Sequence, residues 1–204
     1  MTAHAPYPVL GTKSIFRGNV ISLRLDRVQM SDGTIVEREV VGHPGAVGVV
    51  AIDEDGSLLL INQYRHPVAA RLDELPAGLL DVDGEPALEA ARRELAEEAA
   101  VTATEWHVLV DLYPSPGFSD EAIRLFLARG IQPVPEADRH QPEHEEITLT
   151  VHRVPIDEAV QRVLAGEITN SAAVAGILAA AHCARTGWGG LRPPDAPWAA
   201  RPGH

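Results

Sequence analysis

Three carboxylates stand at helical spacing in the stretch EPALEAARRELAEEAAV (residues 85–101): Glu94, Glu97 and Glu98. At i, i+3 and i+4 they project from one side of a helix, while Leu88, Ala91, Leu95 and Ala99 form an apolar stripe on another. The acids crowd the unfavourable end. A helix's last turn carries partial negative charge and favours Lys or Arg. Like charges four apart, such as Glu94 and Glu98, cost roughly a few tenths of a kcal/mol. A hard divalent cation would remove both penalties. Mg²⁺ takes oxygen ligands, keeps several waters and is commonly shared with substrate phosphates. Spacing alone leaves a plainer alternative open, that of solvent-facing glutamates on an Arg/Glu-rich helix.

The flanking residues extend the pattern to GLLDVDGEPALEAARRELAEEAAV (78–101). This segment resembles the box of the Nudix hydrolases: Gly, five residues, Glu, seven residues, then Arg-Glu-U-x-Glu-Glu-x-Gly-U, with U aliphatic. From Glu85 the spacing holds through Arg93-Glu94-Leu95-Ala96-Glu97-Glu98-Ala99. Two departures stand out. Six residues separate Gly78 from Glu85, and Ala100 occupies the position of the second Gly, so the helix-ending turn is expected to differ. The resemblance implies an α+β fold, a Nudix-like α/β/α sandwich with a mixed sheet. It implies Glu94 and Glu98 as principal metal ligands and members of the catalytic set. Glu97 becomes a further ligand, direct or through water, and the backbone carbonyl of Ala77 an additional one. Glu85 and Arg93 would form an internal ion pair. The cofactor would be Mg²⁺, with Mn²⁺ as the substitute, and the reaction hydrolysis of an X-P-P-Y linkage. Metal ions neutralise the anionic oxygens that repel a nucleophile and lower the pKa of bound water.

The chain-wide order is VEREVV, QYRHP, DELPAGL, the box, then PSPGFSDE with Pro116 fifteen residues after Val101. Over about residues 15–187 it resembles the ADP-ribose pyrophosphatase branch of that family, its actinobacterial members above all. The resemblance implies hydrolysis of ADP-ribose to AMP and ribose 5-phosphate. A broader nucleoside-diphosphate-sugar or nucleotide diphosphatase is the alternative, and a non-catalytic ADP-ribose sensor a more distant one. Arg65 is a candidate for gripping a phosphate oxygen. Glu74, Arg38 and Glu39 match stretches that line substrate or support dimer contacts, and Phe118, Ser119 and Asp120 would border the terminal ribose. Phe16 and Ile21 pack against adenine or simply serve the core. The general base falls in HQPEHEEI (140–147), where Glu145 is assigned and Glu146 is the runner-up beside Glu143. His140 and His144, four apart, make a poor zinc pair without Cys ligands. The resemblance further implies N-terminal hairpins packed across a two-fold axis and hence a homodimer, also the commonest soluble oligomer.

These residues need a scaffold. NVISLRLDRVQM (19–30) and TIVEREVVGH (34–43), joined by SDG, read as a hairpin in a β-rich arm spanning 1–43, with residues 1–14 irregular. A body at 44–187 follows. AVGVVAI (46–52) is a buried strand, and SLLLINQYR (57–65) is expected to return antiparallel beside it across DEDG. Residues 72–78 are short and extended, the helix covers 85–100, strands cover 105–113 and 121–130 around the loop PSPGFSD, and a long loop at 131–146 leads to a strand at 147–156. Helices are expected at 157–167 and 170–187, and an extended or disordered tail at 188–204.

Composition limits the partners. Net charge is −12, which argues against nucleic-acid backbones and anionic membrane surfaces. Sixteen of seventeen basic residues are Arg, a bias that by itself carries no function. Cys183 is the only cysteine, and no secretory signal or membrane-length apolar run is visible, so a reducing cytoplasm is expected.

Overall fold

The computed structural model describes residues 7–141 and 147–199. The expected N-terminal hairpin is present as β2 (Ser22–Gln29) and β3 (Ile35–Gly42). Met30 N donates to Thr34 O (2.8 Å) at its turn. A further strand, β1 (Val9–Arg17), pairs antiparallel with β2, so residues 9–14 of the segment expected to be irregular are sheet. Every residue of β1 is exposed, which left no burial alternation to read.

β4 (Ala46–Ala51) is buried throughout, as its continuous apolar run demands. It lies in a mixed sheet with β7 (Ala77–Leu79), β8 (Val101–Leu112) and β9 (Ile123–Pro133), in the order β7-β4-β9-β8. Only the β4–β9 pairing is parallel. The expected pairing of 46–52 with 57–65 does not form. β5 (Ser57–Arg65) belongs to a separate antiparallel sheet with β6 (Ala70–Glu74) and β10 (Thr150–Pro155), and only the Ile52–Leu58 bridge links the two runs. Both edges of β4 are already taken by β7 and β9, so DEDG hands the chain from one sheet to the other. Asp53 Oδ1 tightens that turn by accepting from Asp55 N (3.1 Å) and Ser57 N (2.9 Å).

Three helices cover the sheets: α1 (Ala87–Ala99), α2 (Ile156–Leu164) and α3 (Ser171–Arg185). The strand alternation sends Val47, Val49, Leu59, Val108 and Phe126 toward Ala91 and Leu95 of α1. The opposite parity sends Val50, Leu58, Leu60, Leu125 and Leu127 toward Ala159 of α2 and Ala173 and Ile177 of α3. This is the α/β/α sandwich. Leu95 is fully buried, so Leu95→Ala would cost about 2–5 kcal/mol and displace the helix that carries the acids.

The tail carries no helix or regular strand over residues 186–199, yet it is packed. Ala196 and Trp198 join the α1-side cluster, and Trp188 and Leu191 the other. Arg124, 3% exposed, donates to Ala196 O (2.6 Å) and Pro197 O (3.1 Å) and lies under the Trp198 ring. No helix among the described residues is long and apolar enough to cross a membrane.

Candidate active site

α1 enters from Pro86, whose backbone is extended, and ends at Ala100 in the left-handed region (φ 53°, ψ 37°), with Ala100 N donating to Ala96 O (3.1 Å). The turn therefore has the conformation that glycine adopts without penalty. The expectation of a different turn is corrected: alanine is held in the glycine geometry, because Val101 must start β8 at once against Pro133.

Gly78 meets the helix face to face. A Cβ there would lie 2.0 Å from the carboxyl carbon of Glu94, so only glycine leaves room for that carboxylate. One residue earlier, Ala77 N donates to Glu98 Oε2 (2.8 Å). β7 and the last turns of α1 thus form two sides of one corner.

Arg93 organises the acids. Its Nε and Nη2 hold the two oxygens of Glu85 (both 3.1 Å), while Nη1 donates to Glu94 Oε1 (2.6 Å) and Glu97 Oε2 (3.0 Å). The Glu85–Arg93 pair read from the box is present. One guanidinium faces three carboxylates. Burial raises the Glu94 carboxyl above its usual range; Arg93 opposes this, and the charges of Glu97 and Asp81 add to it. Glu85 moves down, chiefly through its hydrogen bonds to Arg93.

The donor chemistry fits a hard cation: oxygen donors only, one carboxylate in a cradle that a Cβ would fill, and surplus negative charge. The three glutamates are not closed round a single point, and no group of three His, Cys, Asp or Glu is so arranged among the described residues. The reason is geometric. Arg93 stands between Glu94 and Glu97 and supplies the positive charge there.

The β7 side of the corner, Ala77 and Gly78, lines a cleft of about 440 Å³ together with Arg65, Glu74, His43 and Glu121, among others. Glu74, 2% exposed, takes three hydrogen bonds from Arg65 (Nη2–Oε2 2.7 Å), which fixes the guanidinium at the cleft wall. A smaller cavity of about 220 Å³ joins Glu97 and Glu98 to Arg139 and His140. Glu143, His144, Glu145 and Glu146 lie outside the described residues, so neither the assigned base nor the histidine pair is placed.

The remaining candidates divide. Ser119 makes a single parallel bridge to Val41 of β3: Val41 N donates to Phe118 O (2.8 Å) and Asp120 N to Val41 O (3.1 Å). Asp120 is committed to protein groups, accepting from His43 N (2.9 Å) and Arg24 Nη1 (3.0 Å). Ser119 Oγ donates to Val41 O (3.3 Å), and Phe118 is 58% exposed. Arg38 and Glu39 are exposed on β3 and do not line the cleft. His43 and Glu121 do line it and were missed. Their only signal was position, one just before the first core strand and the other just after PSPGFSD.

The model of the NUDIX domain matches residues 42–173, which spans the sandwich and the whole acidic corner. The chain belongs to the Nudix family. Among relatives of this Nudix chain, an ADP-ribose pyrophosphatase from Mycobacterium tuberculosis is 48% identical over 98% of this chain and 95% of its own length. Another protein of that name, from Bacillus subtilis, is 36% identical over 78% of this chain and 84% of its own. The solved structure of an ADP compounds hydrolase superposes with a TM-score of 0.75 at 23% identity, covering 93% of this chain and 99% of that one, and shows the fold.

Proposed function

We propose that this Nudix protein hydrolyses the diphosphate linkage of ADP-ribose, releasing AMP and ribose 5-phosphate, with Mg²⁺ as cofactor and Mn²⁺ able to replace it. The observation that carries the reading is the carboxylate surplus around Arg93, beside a cleft walled by Arg65. The names of the relatives select the substrate.

Glu94, Glu97 and Glu98, with the Ala77 carbonyl, would hold the cation. When bound, it neutralises diphosphate oxygens and lowers the pKa of a coordinated water. Arg93 keeps its pairing to Glu85 and so holds the loop before α1 against the helix. Arg65, braced by Glu74, is oriented to hold a phosphate oxygen with a charge-assisted bond. We assign proton removal from the attacking water to Glu145. The water oxygen bonds to one phosphorus as the bridging P–O bond breaks, and the bridging oxygen leaves with the other phosphate.

We assign β1–β3 to a homodimer interface, with Arg38 and Glu39 at its margin. Val9, Leu10, Ile15, Phe16, Val20 and Ile21 are 43–56% exposed there, an apolar surface of the kind that marks protein contacts. Phe118 and Ser119 are retained as ribose neighbours, whereas Asp120 is reassigned to holding the backbone. The lone Cys183 fits a reducing cytoplasm.

The test is incubation with ADP-ribose and Mg²⁺, with products resolved by chromatography. AMP and ribose 5-phosphate in equal amounts support the reading; intact ADP-ribose after prolonged incubation overturns it.

A further inference from the structure

His43 sits between β3 and β4, in the GHPG segment, and its surroundings define how it can act. Its backbone N–H donates to Asp120 Oδ1 (2.9 Å), and Gly45 N–H donates to its Nδ1 (3.1 Å). A ring nitrogen that accepts from a backbone amide holds a lone pair, so the neutral imidazole carries its proton on Nε2. Glu121 Oε1 stands 3.9 Å from Nδ1, beyond hydrogen-bond distance; among the described residues nothing accepts from Nε2, and the side chain is only 13% exposed. His43 lines two cavities at once. One is the 440 Å³ cleft with Arg65 and Glu74; the other, about 290 Å³, is formed by the Arg17–Ser22 turn with Gly42 and Pro44.

We propose that His43 is a substrate-positioning residue, donating from Nε2 to an oxygen of a nucleoside diphosphate sugar where the two cavities meet. This rests on the function proposed above and extends it. Such a substrate has two polar ends joined by an anionic diphosphate, so nearly all its oxygens at the junction are acceptors. A fixed donor that adds no negative charge complements them. The backbone at His43 is held by a chain of polar contacts behind it, while the ring itself is held by Gly45 N–H. Arg24 Nη1 pins Asp120 Oδ2 (3.0 Å), Arg24 Nε pairs with Asp26 Oδ2 (3.1 Å), and Asp26, 8% exposed, accepts from Thr12 Oγ1 (2.7 Å). The Asp120 carboxylate therefore sets the backbone at His43, and His43 meets the substrate.

The test compares His43→Asn and His43→Gln in steady-state ADP-ribose hydrolysis at saturating Mg²⁺. Asn Oδ1 can accept from Gly45 N–H but offers no donor at the Nε2 position; the Gln amide nitrogen reaches it. We expect His43→Asn to raise KM on the order of 10-fold, with kcat within about twofold and an unchanged melting temperature. We expect His43→Gln to recover most of that loss. KM near the wild-type value in His43→Asn would overturn the inference alone. So would equal losses of KM, kcat and melting temperature in both variants, which would make His43 structural. A wild-type protein without activity on ADP-ribose would overturn this inference and the proposed function together.

Discussion

Two arginine–carboxylate networks in this molecule are built in opposite proportions. At the end of α1, one guanidinium, Arg93, faces Glu85, Glu94 and Glu97. Under the tail, one carboxylate, Asp111, faces Arg124 (Nε–Oδ1 2.8 Å) and Arg192 (Nη1–Oδ2 2.6 Å). Their protonation follows their stoichiometry. Burial dominates at Glu94 and pushes it up, with too little positive charge to compensate. Burial also works upward on Asp111, but the hydrogen bonds and charges of Arg124 and Arg192 outweigh it and hold the carboxyl below its usual range. The tail network is closed: carbonyls of Ala196 and Pro197 complete the Arg124 shell and fasten that part of the tail to β9. The helix network retains negative charge that folding alone does not neutralise. A closed network stabilises, whereas an open one is available for chemistry.

The largest separation should appear in activity. Glu98→Gln is expected to lower kcat/KM for ADP-ribose by at least about 100-fold, roughly 2.7 kcal/mol of transition-state stabilisation, while urea unfolding stays close to wild type. An active variant would erase the distinction. Asp111→Ala should do the reverse. It leaves the Arg124 guanidinium, 4% exposed, without its carboxylate and should cost about 3 kcal/mol in urea unfolding, with kcat of the folded fraction retained.

Acid and base titration should split the networks more finely. Asp111 has a depressed folded pKa, so its contribution to stability is present above its usual 3.8 and is lost as pH falls through the lower folded value. Glu94 has a raised folded pKa, so its contribution is present below its usual 4.5 and is lost as pH rises through the higher folded value. In chelator, Glu94→Gln should therefore gain stability relative to wild type as pH rises from 4 to 7, read by urea midpoints. A flat difference across that range would contradict the burial argument. The smallest effect concerns the cap between α1 and β8. Ala100→Gly relieves left-handed strain of about 1 kcal/mol, partly offset by glycine's freedom in the unfolded chain. We expect a melting temperature about 2 °C higher with activity unchanged.

The acidic corner was legible because its signal is local. Helical spacing put Glu94, Glu97 and Glu98 on one side, and the box supplied Glu85 and Arg93 as partners. The reason for Gly78 was not legible, since the close approach of Glu94 depends on β7 crossing α1. Strand positions in the core followed from apolar runs, but pairing did not. AVGVVAI and SLLLINQYR look like a hairpin locally, and the capture of both β4 edges by β7 and distant β9 is a tertiary decision. The tail misled for a related reason. WGGLRPPDAPW has no periodicity to read, and its anchors are backbone carbonyls gripped by Arg124, seventy-two residues away in sequence from Ala196. His43 carried no pattern at all; that it lines two cavities at once is visible only in the fold.

Calorimetric titration of Mg²⁺ into wild type and into the Glu94→Gln/Glu98→Gln double variant, with Asp111→Asn as the control, tests the central claim most directly. The open helix network should bind the cation in wild type and in the control, and the double variant should remain folded without binding it. Equal binding by the double variant and wild type would show that the surplus acids of α1 are not the metal site.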